Sequence, residues 1–159
     1  MGTIEEKLKK AGLELPPTHP YPSPNRVACV RAGNILYLSG HGTGRAAMPL
    51  GCKQYGKVGT EVSEEDAYLC AKAVALSMMA SIKAEVGDLD RVKRVIRLYG
   101  MVNSAPGFDR QFAVIDGASD LFYELLGSQN GRHARTAVGL AELPHGIPVE
   151  INGEFELRS

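Results

Sequence analysis

Cysteine, net charge and long apolar segments are all scarce in this sequence. Its three cysteines, Cys29, Cys52 and Cys70, are odd in number and form no C-x-x-C pair, so we expect reduced thiols in a cytoplasmic protein rather than a disulfide framework. The 18 Lys and Arg balance the 18 Asp and Glu, which leaves no net field to attract nucleic acid or anionic lipid. The longest uncharged, mostly apolar run, 73–82, is too short to span a bilayer. Neither a membrane nor a nucleic-acid partner is expected.

The residues that are present fit one folded domain. Of the 159 residues, 44% are hydrophobic and 23% are charged, which is close to the average for globular proteins. No linker or composition shift divides the chain, so we expect a single domain over 1–159. The first ten residues lack the apolar core of a secretory signal. Positions 1–25 are predicted to form a short helix and then an extended arm, because the prolines between 16 and 24 exclude a helix.

Periodicity and capping residues predict two long helices among several strands. Ser63 and Gly87 bound the first long helix, and Asp109 and Gly127 bound the second. The predicted strands are 27–30, 35–38, 92–102, 134–140 and 147–157, and a short helix is predicted over 4–11. The order of strands, helix, strand, helix and strands favours one α+β domain. The first long helix, rich in Ala and Met, is expected to lie buried against a sheet.

Two patterns that often mark cofactor sites are incomplete here. The run 39–44 reads S-G-H-G-T-G, but Arg45 stands where a dinucleotide-binding loop requires its third glycine, and no helix cap follows. The four histidines, at positions 19, 41, 133 and 145, are scattered without metal-ligand spacing. We therefore expect no cofactor and no metal, and interpret 39–44 as a loop that permits close backbone approach.

The C-terminal third carries the most informative polar residues. Arg135 lies among small and apolar residues, where a guanidinium needs an acceptor, and a carboxylate is its natural bidentate partner. Alternation over 147–152 sets Glu150 on the face opposite Val149 and Ile151. Two interpretations stay open: an internal Arg135–Glu150 ion pair, or two residues that each meet a ligand or another subunit.

The strand register favours the second interpretation. If the last two predicted strands form a hairpin around Pro144, Arg135 faces Glu154. Glu150 then lies about four strand positions from Arg135, on the order of 13 Å at ~3.3 Å per residue. At that distance the two side chains do not pair within one chain.

Several short segments together carry a resemblance to a known family. They read GNILYLSG, GDLDRV, ARTAV, LP and VEI, at 33–40, 87–92, 134–138, 143–144 and 149–151. On these motifs, which extend over nearly the whole chain, the sequence resembles the Rid/YjgF family, also known as endoribonuclease L-PSP. The resemblance implies a chorismate-mutase-like fold, in which a mixed sheet carries two long helices on one face. It also implies a homotrimer with clefts between its subunits.

The resemblance further implies a chemistry for individual residues. In the deaminases of the family an arginine, matched by Arg135, holds the carboxylate of a 2-imino acid derived from an enamine. A glutamate, matched by Glu150, positions water or transfers protons, and Ser39 and Gly40 match the loop on the substrate side. The implied activity is cofactor-free hydrolytic deamination of a small substrate with a carboxylate. A non-catalytic trimer that binds a carboxylate metabolite is the alternative, and endoribonuclease activity is third, because the neutral charge argues against an RNA groove.

Three expected substrate-binding positions depart from the family. Arg26 stands in place of a tyrosine, Asp116 in place of an asparagine and Ala137 in place of a cysteine. A second cation and a new carboxylate alter what the cleft binds. One interpretation brings both charged residues into the cleft, since Asp116 follows Phe112 by about one helical turn. In the other, Asp116 is solvated at the boundary of its helix and Arg26 lies along the proline arm.

Overall fold

The structure, a computed structural model, describes residues 3–159, so the first two positions of the predicted domain lie outside the described residues. The helices are α1 (Ile4–Lys10), α2 (Ala47–Leu50), α3 (Glu64–Val86) and α4 (Gln111–Asn130). The strands are β1 (Cys29–Ala32), β2 (Ile35–His41), β3 (Val92–Asn103), β4 (Ala134–Leu140) and β5 (Val149–Leu157). The predicted elements are thus present within a few residues of their expected bounds, and α2 is an addition inside the glycine-rich loop.

The five strands form one mixed sheet in the order β1-β2-β5-β3-β4. Strand β5 lies between β2 and β3 and is antiparallel to both, whereas β3 and β4 are parallel. A parallel pair needs a long crossover connection, and α4 supplies it between β3 and β4.

The expected hairpin between the last two strands is wrong. Strand β3 lies between them, so that Arg135 pairs with Leu98, and Leu98 in turn pairs with Gly153 of β5. The segment 141–148 is long enough to carry the chain past β3 rather than turn it back beside β4. Sequence alternation gives each strand its two faces but does not say which strand is its neighbour.

The two long helices cover one face of the sheet, as expected. On β5 the buried residues Val149, Ile151 and Phe155 face the helices, and the polar residues Glu150 and Asn152 point to the opposite, open face. Helix α3 is buried on nearly every side through its middle, because it packs against the sheet, α4 and the segment around α2. The chorismate-mutase-like α+β arrangement is therefore confirmed.

The helix ends agree with the sequence only in part. Ser63 caps α3 by accepting a 3.0 Å hydrogen bond from the Asp66 amide. The predicted cap Asp109 is wrong, because α4 begins one residue later, after Arg110, which makes no side-chain cap. The Arg110 guanidinium instead grips the Glu64 carboxylate at 2.6 and 2.9 Å, which ties the start of α4 to the start of α3.

Helices α3 and α4 approach each other closely at a glycine. A Cβ atom built on Gly117 would lie 2.0 Å from the backbone oxygen of Tyr68 and 3.2 Å from the amide nitrogen of Lys72. Backbone cannot give way as a flexible side chain can, so any side chain at 117 would force the two helices apart.

We predict that Gly117→Ala lowers the free energy of unfolding by about 3 kcal/mol or more, because overpacking against backbone displaces a whole helix. Chemical denaturation followed by far-ultraviolet circular dichroism measures the change. Glu124→Ala, at an exposed position of the same helix, is the control and should shift stability by about 0.5 kcal/mol or less. Equal stabilities of the two variants would contradict the close approach.

Candidate functional site

Arg135 lies on the helix side of the edge strand β4, where its guanidinium meets three groups of α4. Nη1 donates to Oδ1 of Asp116 at 2.6 Å and to Oγ of Ser119 at 3.0 Å, and Nη2 donates to the carbonyl of Phe112 at 3.3 Å. The side chain is 23% exposed, so it lies at the rim of the protein rather than in its core. The guanidinium is thereby fixed against α4.

Asp116 is the carboxylate partner of Arg135. Of the two interpretations offered for Asp116, the one in which it reaches Arg135 is the one that forms, and the internal Arg135–Glu150 ion pair is not present. Because the Asp116 side chain is 45% exposed, solvent and salt screen this pair and its contribution to stability is small. Its consequence is electrostatic, since the positive charge of Arg135 already has a negative neighbour.

A histidine that sequence reasoning left unassigned extends this network. His133 Nδ1 lies 2.7 Å from the carbonyl of Gly131, and its Nε2 lies 3.0 Å from Oγ of Ser119. A carbonyl only accepts, so Nδ1 carries the proton, and Nε2 of the neutral ring accepts from the Ser119 hydroxyl. Burial is the main cause that lowers the pKa of His133; the Gly131 carbonyl opposes it and the Arg135 charge adds to it. Its position two residues before Arg135, directly ahead of β4, is the signal that could have revealed it.

Glu150 lies on the open face of the sheet, above Gly40. A Cβ atom on Gly40 would lie 1.9 Å from Oε1 of Glu150, so a side chain at 40 would displace the Glu150 carboxyl from this position. A bulge between Leu38 and His41 of β2 brings this segment beside β5. Burial raises the pKa of Glu150 above its ordinary value. Ser39 and Gly40 belong to β2, so the loop predicted to begin at 39 is wrong in its first part. The hydroxyl of Ser39 donates to the carbonyl of Val27 at 2.7 Å, so it ties the end of β2 to the segment before β1.

Arg26 lies beside Tyr21 in the extended arm, as one of the two interpretations predicts. The Arg26 guanidinium lies 6.0 Å from the centre of the Tyr21 ring. Burial is the main cause that raises the pKa of Tyr21; the Arg26 charge lowers this pKa, and the charges of Cys29 and Glu150 raise it. Sequence reasoning missed Tyr21, although this phenol stands between Pro20 and Pro22 in the extended arm.

The candidate residues therefore form two separate groups. We call Arg135, Asp116, Ser119 and His133 the guanidinium half-site, and Glu150, Gly40 and Ser39 the carboxyl half-site. Glu150 pairs with Met101, which pairs with Val138, three strand positions from Arg135. The two half-sites are thus about 10 Å apart along the strands, about 10 Å apart across them, and on opposite faces of the sheet. One copy of the chain does not bring them together.

Ala137 follows Arg135 on the helix side of β4. It pairs with Gly100 of β3 and packs, partly buried, against the hydrophobic core. Two cavities of about 380 and 270 Å³ lie elsewhere, beside α1 and beside Cys29 and Ser81, and neither is lined by residues of the half-sites.

Residues 3–159 show neither a cluster of metal ligands nor a membrane-spanning helix. Within this range no three or more His, Cys, Asp or Glu side chains are grouped as they would be around a metal ion. No helix in the same range combines the length and the apolar character that crossing a membrane requires.

Comparison with known proteins gives one consistent family. Residues 5–145 match the family model described as "YjgF/chorismate_mutase-like, putative endoribonuclease". The chain belongs to this family. The YjgF-family match includes Arg135 and Asp116 but ends before Glu150.

Individual relatives cover nearly the whole chain. Protein TCP17 of Trypanosoma cruzi is 38% identical over 158 residues, which are 99% of this chain and 96% of TCP17. The crystal structure of Atu1372 from Agrobacterium tumefaciens, a protein described as having unknown function, is 39% identical with a TM-score of 0.86, over 98% of this chain and 92% of that one. A "putative endoribonuclease" from Shewanella oneidensis is 29% identical with a TM-score of 0.88, over 98% of this chain and 100% of that one. The expected YjgF fold is confirmed on these grounds.

We predict that His133 makes this YjgF-family protein less stable in acid. In the folded state the pKa of His133 is lowered from its ordinary value of 6.5. Below about pH 6.5 the imidazole is therefore protonated in the unfolded chain but still neutral in the folded protein. The free energy of unfolding consequently falls as the pH drops toward the folded pKa. His133→Gln removes the titration and should reduce the loss of stability between about pH 7.5 and about pH 5.5.

Urea denaturation at the two pH values measures this difference. Some loss remains in the variant, because burial also lowers the pKa of His41. His145→Gln, in the exposed turn after β4, controls for the removal of a histidine and should behave as the unmutated protein does. An unchanged pH dependence in His133→Gln would show that His133 is not held neutral by the fold.

Proposed function

We propose that this protein hydrolyses 2-imino acids, and the enamines that tautomerise to them, to 2-oxo acids and ammonia, in clefts between the subunits of a homotrimer. One observation supports the proposal most directly. Arg135, which is suited to bind a carboxylate, and the half-buried Glu150 lie on opposite faces of one sheet. A site that uses both must combine the guanidinium half-site of one copy with the carboxyl half-site of another.

The guanidinium half-site is suited to hold the carboxylate of the substrate. Arginine has five N–H donors, of which Asp116, Ser119 and the Phe112 carbonyl use three. Nε–H and one N–H of Nη2 remain for a ligand, and these two can grip a carboxylate side by side. Arg135 thus needs no rearrangement of its contacts with α4 in order to bind.

The carboxyl half-site supplies proton transfer. The carboxylate of Glu150 removes a proton from water as the water oxygen bonds to C2 of the protonated imine, which gives a tetrahedral carbinolamine. Transfer of that proton to the amine nitrogen lets ammonia leave as the C2–N bond breaks, and the C2–O double bond forms as the hydroxyl proton passes to the Glu150 carboxylate, which releases it to solvent. A raised pKa brings a carboxyl group closer to the pH at which it both accepts and donates a proton. Water is the only co-reactant, so the reaction needs no cofactor.

The open face of the sheet supports assembly into a trimer. Helices cover the other face, and the open face bears the ring of Tyr37, which is 49% exposed, and the bidentate Arg97–Glu154 pair at 2.9 and 2.7 Å. An uncovered sheet face that combines aromatic and polar side chains is suited to pack against further copies. The buried thiols of the three cysteines fit a cytoplasmic location.

We predict that Arg135→Lys and Glu150→Gln each lower kcat/KM by about a hundredfold, the first by raising KM and the second by lowering kcat, while the trimer persists. Lysine keeps the charge but loses the planar fork, which costs about 2–3 kcal/mol of carboxylate binding. Loss of the acid–base group lowers kcat by about a hundredfold or more. An amino-acid oxidase generates the imine in the assay, and slower formation of its semicarbazone reports deamination.

A mixing experiment then tests the shared cleft. The two impaired variants are unfolded and refolded together, and native mass spectrometry counts subunits. In random trimers about a quarter of the clefts combine an intact Arg135 from one copy with an intact Glu150 from another, so about a quarter of the activity should return. No recovery in mixed trimers, or a monomer at micromolar concentration, would contradict the shared site.

The other two functions are outcomes of the same experiments. A trimer that binds 2-oxobutanoate through Arg135 without accelerating imine loss would be a carboxylate-binding protein. The Shewanella relative is described as a "putative endoribonuclease". Ribonuclease activity has less support here, because the 18 basic and 18 acidic residues leave no net attraction for RNA. Cleavage of RNA that Arg135→Lys abolishes would favour it.

We predict that Arg26→Tyr combined with Asp116→Asn raises activity on 2-aminoacrylate-type imines. Asp116→Asn removes the negative charge beside Arg135, and so removes the repulsion that a simple monocarboxylate meets. The two single variants show how much each position contributes to the gain in activity, and we expect Asp116→Asn to give most of it. No gain from the double variant, in a folded trimer, would show that these positions do not set specificity.

A further inference from the structure

We propose that Ser119 and His133 are positioning residues that hold the Arg135 guanidinium so that its unused N–H edge faces the ligand. The inference rests on the proposed function, in which Arg135 binds the substrate carboxylate. Neither residue touches the substrate, and each acts through Arg135.

The chain of hydrogen bonds runs in one direction. Arg135 Nη1 donates to Ser119 Oγ, Ser119 Oγ–H donates to His133 Nε2, and His133 Nδ1–H donates to the carbonyl of Gly131. A guanidinium only donates and a carbonyl only accepts, so the two ends of the series fix the donor and acceptor roles of Ser119 and His133 between them. The orientation of Ser119 is therefore determined from both sides.

The series of hydrogen bonds ends at a rigid backbone group, the carbonyl of Gly131. The amide of Gly131 donates to the carbonyl of Gly127 at 2.8 Å, at the end of α4. A Cβ atom on Gly131 would lie 2.5 Å from Cα of Tyr123 and 2.6 Å from the carbonyl oxygen of Phe122, so the backbone here is tightly packed. His133 consequently receives a fixed acceptor, which selects its tautomer and its ring orientation.

Asp116, the exposed partner of Arg135, cannot hold the guanidinium in one orientation alone. Asp116 is 45% exposed and contacts one nitrogen only, and an exposed carboxylate can rotate away into water. The Phe112 carbonyl contact is long, at 3.3 Å. Ser119 is the side-chain contact of Arg135 that is held in place by a further hydrogen bond, to His133. A binding group is effective when the residues around it lock its rotamer.

Two matched pairs of variants test the proposal. Ser119→Ala removes the hydroxyl, and Ser119→Thr keeps it. His133→Asn keeps a donor near Nδ1 but loses the acceptor near Nε2, whereas His133→Gln places an amide oxygen near Nε2. Isothermal calorimetry gives the Kd of 2-oxobutanoate as a stable carboxylate, and the semicarbazone assay gives kcat in the same proteins.

We expect Ser119→Ala and His133→Asn to weaken 2-oxobutanoate binding about tenfold while kcat at saturating imine stays within about threefold, because Arg135 binds ground state and transition state alike. Ser119→Thr and His133→Gln should restore binding. An unchanged Kd in folded Ser119→Ala, or equal losses in the two members of each pair, would overturn the inference.

A measurement that does not depend on turnover separates this inference from the proposed function. Nitrogen-15 NMR of the unmutated protein should show His133 protonated at Nδ1, and Ser119→Ala should speed rotation of the Arg135 guanidinium. If the unmutated protein neither binds 2-oxobutanoate nor deaminates imines, the proposed function fails, and these spectra still decide whether Ser119 and His133 hold Arg135. Rotation that is equally fast in both proteins overturns the inference.

Discussion

The alternation of side chains along a β-strand is the constraint on which the candidate site depends. Arg135 shares its face of the sheet with Leu98, whose side chain is buried under the helices, and Glu150 points to the open face. No change of rotamer moves a side chain through a sheet. The carboxylate-binding and acid–base roles proposed for Arg135 and Glu150 can therefore be combined only where copies of the chain meet, which makes assembly part of the proposed chemistry.

Much of the fold could be predicted from the sequence because local signals were strong. Ser63 and Gly87 marked α3, and alternating residues marked β5 together with the face on which Glu150 lies. The neighbour of β4 could not be predicted in this way, since pairing depends on contacts distant in sequence. The separation of Arg135 from Glu150 was nevertheless expected correctly, although the expected hairpin was wrong, because both arrangements keep the two residues several strand positions apart.

The candidate site was less predictable than the fold. That Asp116 reaches Arg135 followed from helix spacing as one of two interpretations. His133 was dismissed as one of several scattered histidines, because a search for metal ligands looks for groups that converge and not for a hydrogen-bonded chain through a serine. Tyr21 was missed because an extended arm without periodic structure gives no rule for where its side chains lie.

The two half-sites differ in what folding has already arranged. Within one copy the Arg135 guanidinium has three hydrogen bonds to α4, so its rotamer is fixed before any partner arrives. The entropy of ordering this long side chain is therefore lost on folding and not on ligand binding. In the proposed trimer, assembly has only to bring Glu150, which lies against Gly40, to the open N–H edge of a neighbouring arginine. In such a cleft the arginine surface is ordered before the subunits meet and need not rearrange.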